Sequence, residues 1–259
     1  MITIFTIPKP FVGHIKTIQM NAIRSWKHLR GSEVILFGNE AGTAEAARTV
    51  GAQHVPNIEV NEFGTPLLDS TFRTAHQFAT HNILCFVNTD MILMPTFTEA
   101  AKAIYRGKNK FNKRQFLAVG RRWNIDIAGE IQFAPGWDRH LSAYVSNPQN
   151  GIRGNDHGID FFLFPRKTFE NIPQFAVGRG FWDNWMVYDA LRRKIKVIDI
   201  SDATRAIHQN HDYSHHPDGQ RGAYLGAEGQ RNLNRAGGMK KTGHWYGLMD
   251  ATGRLERIK

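Results

Sequence analysis

Five consecutive residues, Ile83-Leu84-Cys85-Phe86-Val87, are all apolar, and this run constrains the fold more than any other stretch of the chain. A strand sends alternate side chains to opposite faces, so a strand with no polar position must be covered on both sides. Such a strand belongs in the middle of a largely parallel sheet with helices packed on each face.

The sequence before it supplies those layers. Residues 2–7 form a β-branched and aromatic run that stops at Pro8 and Pro10. Ile15, Ile18, Ala22, Ile23, Trp26 and Leu29 then recur at helical spacing up to Gly31. Glu33 to Phe37 reads as a second strand, 41–50 as an alanine-rich helix ended by Gly51, and Leu68, Phe72, Ala75 and Ala79 as a third helical stripe. Beyond the central strand the pattern predicts helices near 96–106 and 183–194 and strands at 116–119, 159–164 and 196–200. Residues 208–259 carry many glycines and little periodicity, as a lid or tail does.

The fold expected is therefore α/β, a mixed, mostly parallel sheet sandwiched by helices with a C-terminal lid or tail. With 259 residues, 41% of them hydrophobic, and no repeat or low-complexity linker, one domain over 1–259 is the simpler organisation. Residues 1–120 form its first half, 121–207 its second, and 208–259 a histidine-rich loop and basic lid.

A formal net charge of +10 favours an anionic partner. The single cysteine, Cys85, lies in the central strand, so no intrachain disulfide forms, which fits a reducing compartment. The N-terminus lacks a basic, cleavable leader pattern and no apolar run spans a membrane, so the chain reads as cytoplasmic, with peripheral membrane contact left open.

The central strand runs directly into Asn88-Thr89-Asp90. In parallel sheets ligands bind beyond the carboxyl ends of strands, and alternation puts Asn88 and Asp90 on one side, where oxygen atoms can hold a hard divalent cation against a diphosphate. A turn that merely uses Asn and Asp is the bland alternative. Two further constellations stand out. Asp183 lies in Gly178-Arg179-Gly180-Phe181-Trp182-Asp183-Asn184-Trp185, where it can cap the helix that follows. His208, His211, His215 and His216 fall within nine residues of polar loop, and imidazole ligates transition metals.

In element order and in the position of the Asn-x-Asp triplet, residues 1–210 resemble the GT-A glycosyltransferases, in a family 2-like form. The resemblance implies transfer of a sugar from a nucleoside diphosphate sugar donor to a saccharide or other hydroxyl acceptor, as in glycan or polysaccharide synthesis, with Mn2+ or Mg2+ as cofactor and inversion favoured. It makes Asp90 the metal ligand, joined by His208 or His211, while Asn88 departs from the usual acid and is left a supporting or ribose contact. By the same likeness Asp183 is the general base, and Trp182 and Trp185 offer stacking faces to the acceptor. Thr6, Ile7, Pro8, Asn39, Glu40, Asp69, Asn88 and Thr89 face the nucleotide sugar.

Arg205, beside the histidines, is a phosphate candidate. Asp160, on an otherwise apolar strand, needs a partner, supplied by an acceptor or by Arg121 or Arg122. The basic tail 231–259, seven Lys or Arg against two acids, either folds over a diphosphate or forms a solvated face.

The competing readings are a nucleotidyltransferase of similar fold and a nucleotide- or anionic-polymer-binding protein without catalysis. Pro8-Lys9-Pro10 stands where the former's glycine-rich phosphate loop belongs, and no nucleic-acid-binding signature supports the latter, so no nucleic-acid partner is expected.

Overall fold

The computed structural model describes residues 1–106, 115–155, 158–212 and 219–243. Its first part alternates β1 (Ile2–Thr6), α1 (Gly13–Lys27), β2 (Ser32–Phe37), α2 (Thr43–Val50), β3 (Gln53–Val55), α3 (Leu68–Phe78) and β4 (Ile83–Val87). Strand β3 went unpredicted because three residues complete no hydrophobic period. Helix α2 ends where Gly51 adopts φ 65°, a left-handed cap that a glycine accepts without a Cβ penalty.

The chain continues with β5 (Met91–Leu93), α4 (Thr96–Arg106), β6 (Phe116–Val119), β7 (Arg122–Ile125), α5 (Trp137–Ser146), β8 (Gly151–Arg153) and β9 (Phe161–Pro165). Then come α6 (Trp182–Arg192), β10 (Lys196–Asp199), β11 (Ala206–Gln209), α7 (Gly219–Leu225), α8 (Ala227–Ala236) and a short 3-10 turn at Met239–Lys241.

Seven strands form the main sheet in the order β10-β6-β9-β4-β1-β2-β3, with β4 at its centre. Every residue of β4 is buried, as its apolar sequence requires. Leu84 and Phe86 enter one layer with Phe5, Phe72, Phe162 and Trp182, while Ile83, Cys85 and Val87 enter the other with Trp26, Phe97 and Leu163.

The sheet is parallel except for β9, which runs antiparallel to β4 with Phe86 opposite Phe162. That reversal brings the start of β9, and Asp160 just before it, to the carboxyl end of β4. The Asn88 N–H donates to the Asp160 carbonyl at 2.9 Å.

A second sheet, β5-β11-β7-β8, grows from the turn after Asp90. β5 pairs antiparallel with β11, placing Met91 opposite His208, and β11 pairs parallel with β7. Because Met91 follows Asp90 directly, this register carries the histidines to the acid. The Trp26 indole N–H donates to the Met91 carbonyl at 2.8 Å, tying α1 beneath the same turn.

The stretch from 120 to 157 yields no clear period in sequence, yet β7, α5 and β8 lie in it. Helices α7 and α8 likewise occupy part of 208–259, where periodicity is weak. His215, His216 and the tail beyond 243 lie outside the described residues. No helix among those described is long and apolar enough to cross a membrane.

Candidate active site

A cleft of about 730 Å³ opens at the carboxyl ends of β1 and β4. Its walls take Ile7, Pro8 and Lys9 from the exit of β1, Asn88, Thr89 and Asp90 from the exit of β4, and Arg122 from β7. Asp160, Asp183 from the first turn of α6, and His208 and His211 from the end of β11 complete them. The far rim is built from Phe63 to Pro66, Val177 to Gly180 and Tyr224.

Asp90 is the hub. One oxygen, Oδ2, lies 3.1 Å from His211 Nε2 and 3.9 Å from His208 Nε2. The other, Oδ1, is buried and has no hydrogen-bond partner among the described residues, and His208 Nδ1 is in the same condition. An unsatisfied buried polar atom costs about 1–3 kcal/mol, which a ligand at this cluster would relieve.

The tautomer of His211 sharpens the point. Its Nδ1 lies 2.6 Å from the Asp212 carbonyl, an acceptor only, so Nδ1 carries the hydrogen and donates. In a neutral ring Nε2 then presents a lone pair to a carboxylate. Two lone pairs at that distance need a cation between them, either a proton on the ring or a metal ion.

Oxygen and imidazole donors in one cluster, with all three candidate ligand atoms within 4.8 Å of one another, fit a divalent transition ion. Burial opposes ionisation of Asp90, but the charge of His208, the hydrogen bond with His211 and the charge of Lys9 outweigh it and hold the carboxyl below the usual range. Burial in turn lowers the pKa of His208 against the opposing charge of Asp90, so the ring gives up its proton, and becomes able to ligate, more readily than a free imidazole.

The backbone beneath Asp90 is pinned by Gln209, which is fully buried on β11. Its Nε2 donates to the carbonyls of Ile18 (2.8 Å) and Asp90 (3.1 Å), while its Oε1 accepts from Asn21 Nδ2 (3.0 Å). Neither Gln209 nor Asn21 was predicted as a site residue. For Asn21 the available signal is a polar side chain beside the apolar stripe of α1; Gln209 lies where the sequence shows little periodicity and offers none.

Asn88 is turned toward Asp160 through its amide N–H. Its Nδ2 donates to Asp160 Oδ1 at 2.8 Å, and Arg122 donates to Asp160 Oδ2 at 2.8 Å. Of the partners open to Asp160, the structure therefore chooses Arg122, and both carboxylate oxygens are engaged. Thr89 Oγ1 lies 2.8 Å from Thr6 Oγ1, joining the exits of β4 and β1. Thr6 itself is buried behind the cleft wall.

Asp183 reaches the cleft but is not the helix cap. That position falls to Phe181, whose φ of 81° is unusual for a residue with a side chain. The Asn184 N–H donates to Asp183 Oδ1 at 2.8 Å. Burial pushes the Asp183 pKa up to about 6, with the Asp160 charge adding to burial and the Asn184 N–H opposing it.

Several expected contacts do not form. Trp182 borders the cleft, but its ring packs against Phe86 and Phe162, and Trp185 packs against Phe175 in the core, so neither is the exposed platform a sugar ring needs. Arg205 donates to the Ser142 carbonyl and to the Ser142 and Ser146 hydroxyls on α5, and its guanidinium lies over Trp123, away from the cleft. Asn39 is exposed outside the cleft, whereas Glu40 lines it. Asp69 faces Arg73 at 3.7 Å and does not line the cleft.

No protein-family model and no curated protein sequence matches the chain. Solved structures do match. Glucosyl-3-phosphoglycerate synthase from Mycobacterium tuberculosis superposes with a TM-score of 0.51 at 16% identity, over 92% of this chain and 81% of that one. The same enzyme in complex with Mn2+, uridine diphosphate and phosphoglyceric acid gives 0.50 at 16% identity, over 92% and 79%. At this identity the likeness is one of fold: the chain has the GT-A architecture.

Proposed function

We propose that the protein is a metal-dependent glycosyltransferase that moves a sugar from a nucleoside diphosphate sugar to a hydroxyl acceptor. The observation that carries this is the cluster of Asp90, His208 and His211, with its two unpartnered buried atoms, at the end of the central strand of a GT-A fold. The structural neighbour bound to uridine diphosphate with Mn2+ supports the same donor and cofactor class.

In this reading Asp90, His208 and His211 would hold the divalent ion, Mn2+ or Mg2+, which when bound would supply positive charge to the departing diphosphate. Ile7, Pro8 and Glu40 flank the nucleoside at the exits of β1 and β2. The acceptor enters from the rim of Val177, Gly178 and Tyr224, so that its hydroxyl lies against Asp183.

Asp183 takes the hydroxyl proton as the acceptor oxygen forms its bond to the anomeric carbon and the diphosphate departs from the opposite face. The product then has inverted configuration. Asp160, closed by Arg122 and Asn88, acts as a charged wall that keeps the Asp183 pKa raised rather than as an acceptor contact. The buried Cys85 fits a reducing location such as the cytoplasm.

The decisive experiment titrates UDP, GDP, ADP, CDP and TDP calorimetrically with Mn2+ and then with chelator, on the wild type and on Asp90→Ala. Metal-dependent binding that disappears in the variant is expected. No binding of any nucleoside diphosphate, with or without metal, overturns the reading.

A further inference from the structure

Among the described residues three Lys or Arg side chains line the cleft: Lys9, Arg122 and Arg179. Two are committed. Arg122 holds Asp160, and Arg179 holds Glu228 with Nε and Nη2 at 2.8 Å and 2.7 Å. Lys9 makes no ion pair among the described residues; burial lowers its pKa, and the Asp90 and Asp212 carboxylates offset part of that effect. Asp212 is exposed and screened by solvent.

The backbone that carries Lys9 is unusually constrained. Pro8 fixes its own φ, and a residue before proline, here Pro10, is held extended. Gln19, a buried residue of α1, then clamps Lys9 from both sides: Oε1 accepts the Lys9 N–H at 2.7 Å and Nε2 donates to the Lys9 carbonyl at 2.8 Å. A loop pinned in this way places an ammonium group in the cleft at little further cost in backbone entropy.

We infer that Lys9 binds the diphosphate of the donor, beside the Asp90, His208 and His211 cluster. The inference rests on the transferase reading of this cleft and deepens it. Charge balance favours it. A divalent ion held by one carboxylate and two neutral imidazoles keeps one net positive charge, and Lys9 adds a second, matching the two negative charges of an esterified diphosphate. An ammonium offers three donors to oxygens that only accept. The exit of β1 thus uses a proline-braced lysine in place of a glycine-rich cradle of backbone N–H groups.

The test compares wild type, Lys9→Met and Lys9→Arg by calorimetry with UDP in Mn2+, with uridine in Mn2+, and with Mn2+ alone, after thermal melts show that the variants fold. If GDP or another nucleoside diphosphate proves the tighter ligand of the wild type, it and its nucleoside replace UDP and uridine. In Lys9→Met the diphosphate affinity is expected to fall about tenfold to a hundredfold, the scale of a lost charge-assisted hydrogen bond. Mn2+ binding alone and uridine binding stay within about twofold of wild type, and Lys9→Arg recovers part of the loss. Undiminished diphosphate binding in Lys9→Met overturns the inference and leaves the transferase reading standing. An equal loss of Mn2+ binding also overturns it, because Lys9 then acts through the metal site. A wild type that binds none of the nucleoside diphosphates removes both.

Discussion

Asp183 sits in the first turn of α6, where a helix favours negative charge, yet burial beside Asp160 pushes its pKa up to about 6. A general base must be ionised, so kcat/KM is expected to rise with pH through an apparent pKa near 6 and to level off above it. Asp183→Asn lowers kcat by about 10²–10⁴-fold and removes that inflection. The stability effect has the opposite sign to that of a salt-bridged acid. Between its unfolded value and 6 the folded state binds more protons, so the Asp183 contribution grows more favourable as pH falls from 7 through 6. Asp183→Asn therefore melts higher than wild type at pH 7, and the difference shrinks as the pH is lowered toward 4. A melting difference that is flat over this range means that Asp183 is not desolvated in the folded protein.

At the scale of elements, the antiparallel pair of β5 and β11 decides the site. Gln209 fastens that pair to α1, and replacing it by leucine removes one acceptor from the Asn21 amide and one donor each from the Ile18 and Asp90 carbonyls in the interior. Gln209→Leu is expected to cost about 2–4 kcal/mol in chemical denaturation, and to weaken Mn2+ binding although Gln209 touches no ligand. Loss of stability with unchanged Mn2+ affinity restricts Gln209 to a structural role.

The elements differ in how far the chain announces them. β4 and α4 are legible residue by residue, because five apolar positions in a row and a clean helical stripe are local signals. β7 and β8 are not, because Arg122–Ile125 and Gly151–Arg153 are short, half-exposed strands stabilised by pairing with distant partners. Asp183 shows the same limit within one helix: its type and location fit a cap, but Phe181 adopts the capping backbone instead.

For the molecule as a whole, the C-terminal helices close the far rim of the cleft. Tyr224 of α7 lies over Gly180, where an added Cβ would stand 2.4 Å from its ring, so only glycine admits this contact. In α8, Glu228 accepts from Arg179 and from Asn61 Nδ2 at 2.7 Å, joining the helix to two loops that border the cleft. Burial opposes ionisation of Glu228, but hydrogen bonds from Asn61, Thr65 and Arg179 outweigh it and depress its pKa.

The clasp thus contributes stability that is complete above the unfolded value of about 4.3 and is lost as pH falls through the depressed folded value. Glu228→Gln is expected to cost about 2–3 kcal/mol at pH 7. It should also speed hydrogen exchange in 219–236 and remove the stability lost on acidification that this group contributes. Unchanged exchange in α7 and α8 argues that the clasp does not hold the rim closed.

By itself the sequence determined the main layers and the point where chemistry enters them. Strands and helices of period 2 and 3.6 follow from neighbouring residues, and an apolar strand buried on both faces leaves its carboxyl end, Asp90, as the first polar opening. Only the tertiary structure decided which side chains meet there. His208 and His211 reach Asp90 because β11 pairs with β5 in one register, across more than 110 residues of chain. A reversed β9 hands Asp160 to Arg122 and Asn88, Arg205 is drawn off to α5, and Trp185 sinks beneath Phe175. Such contacts depend on strand direction and register, which one chain's periodicity does not encode, because a pairing partner contributes as much as the strand itself.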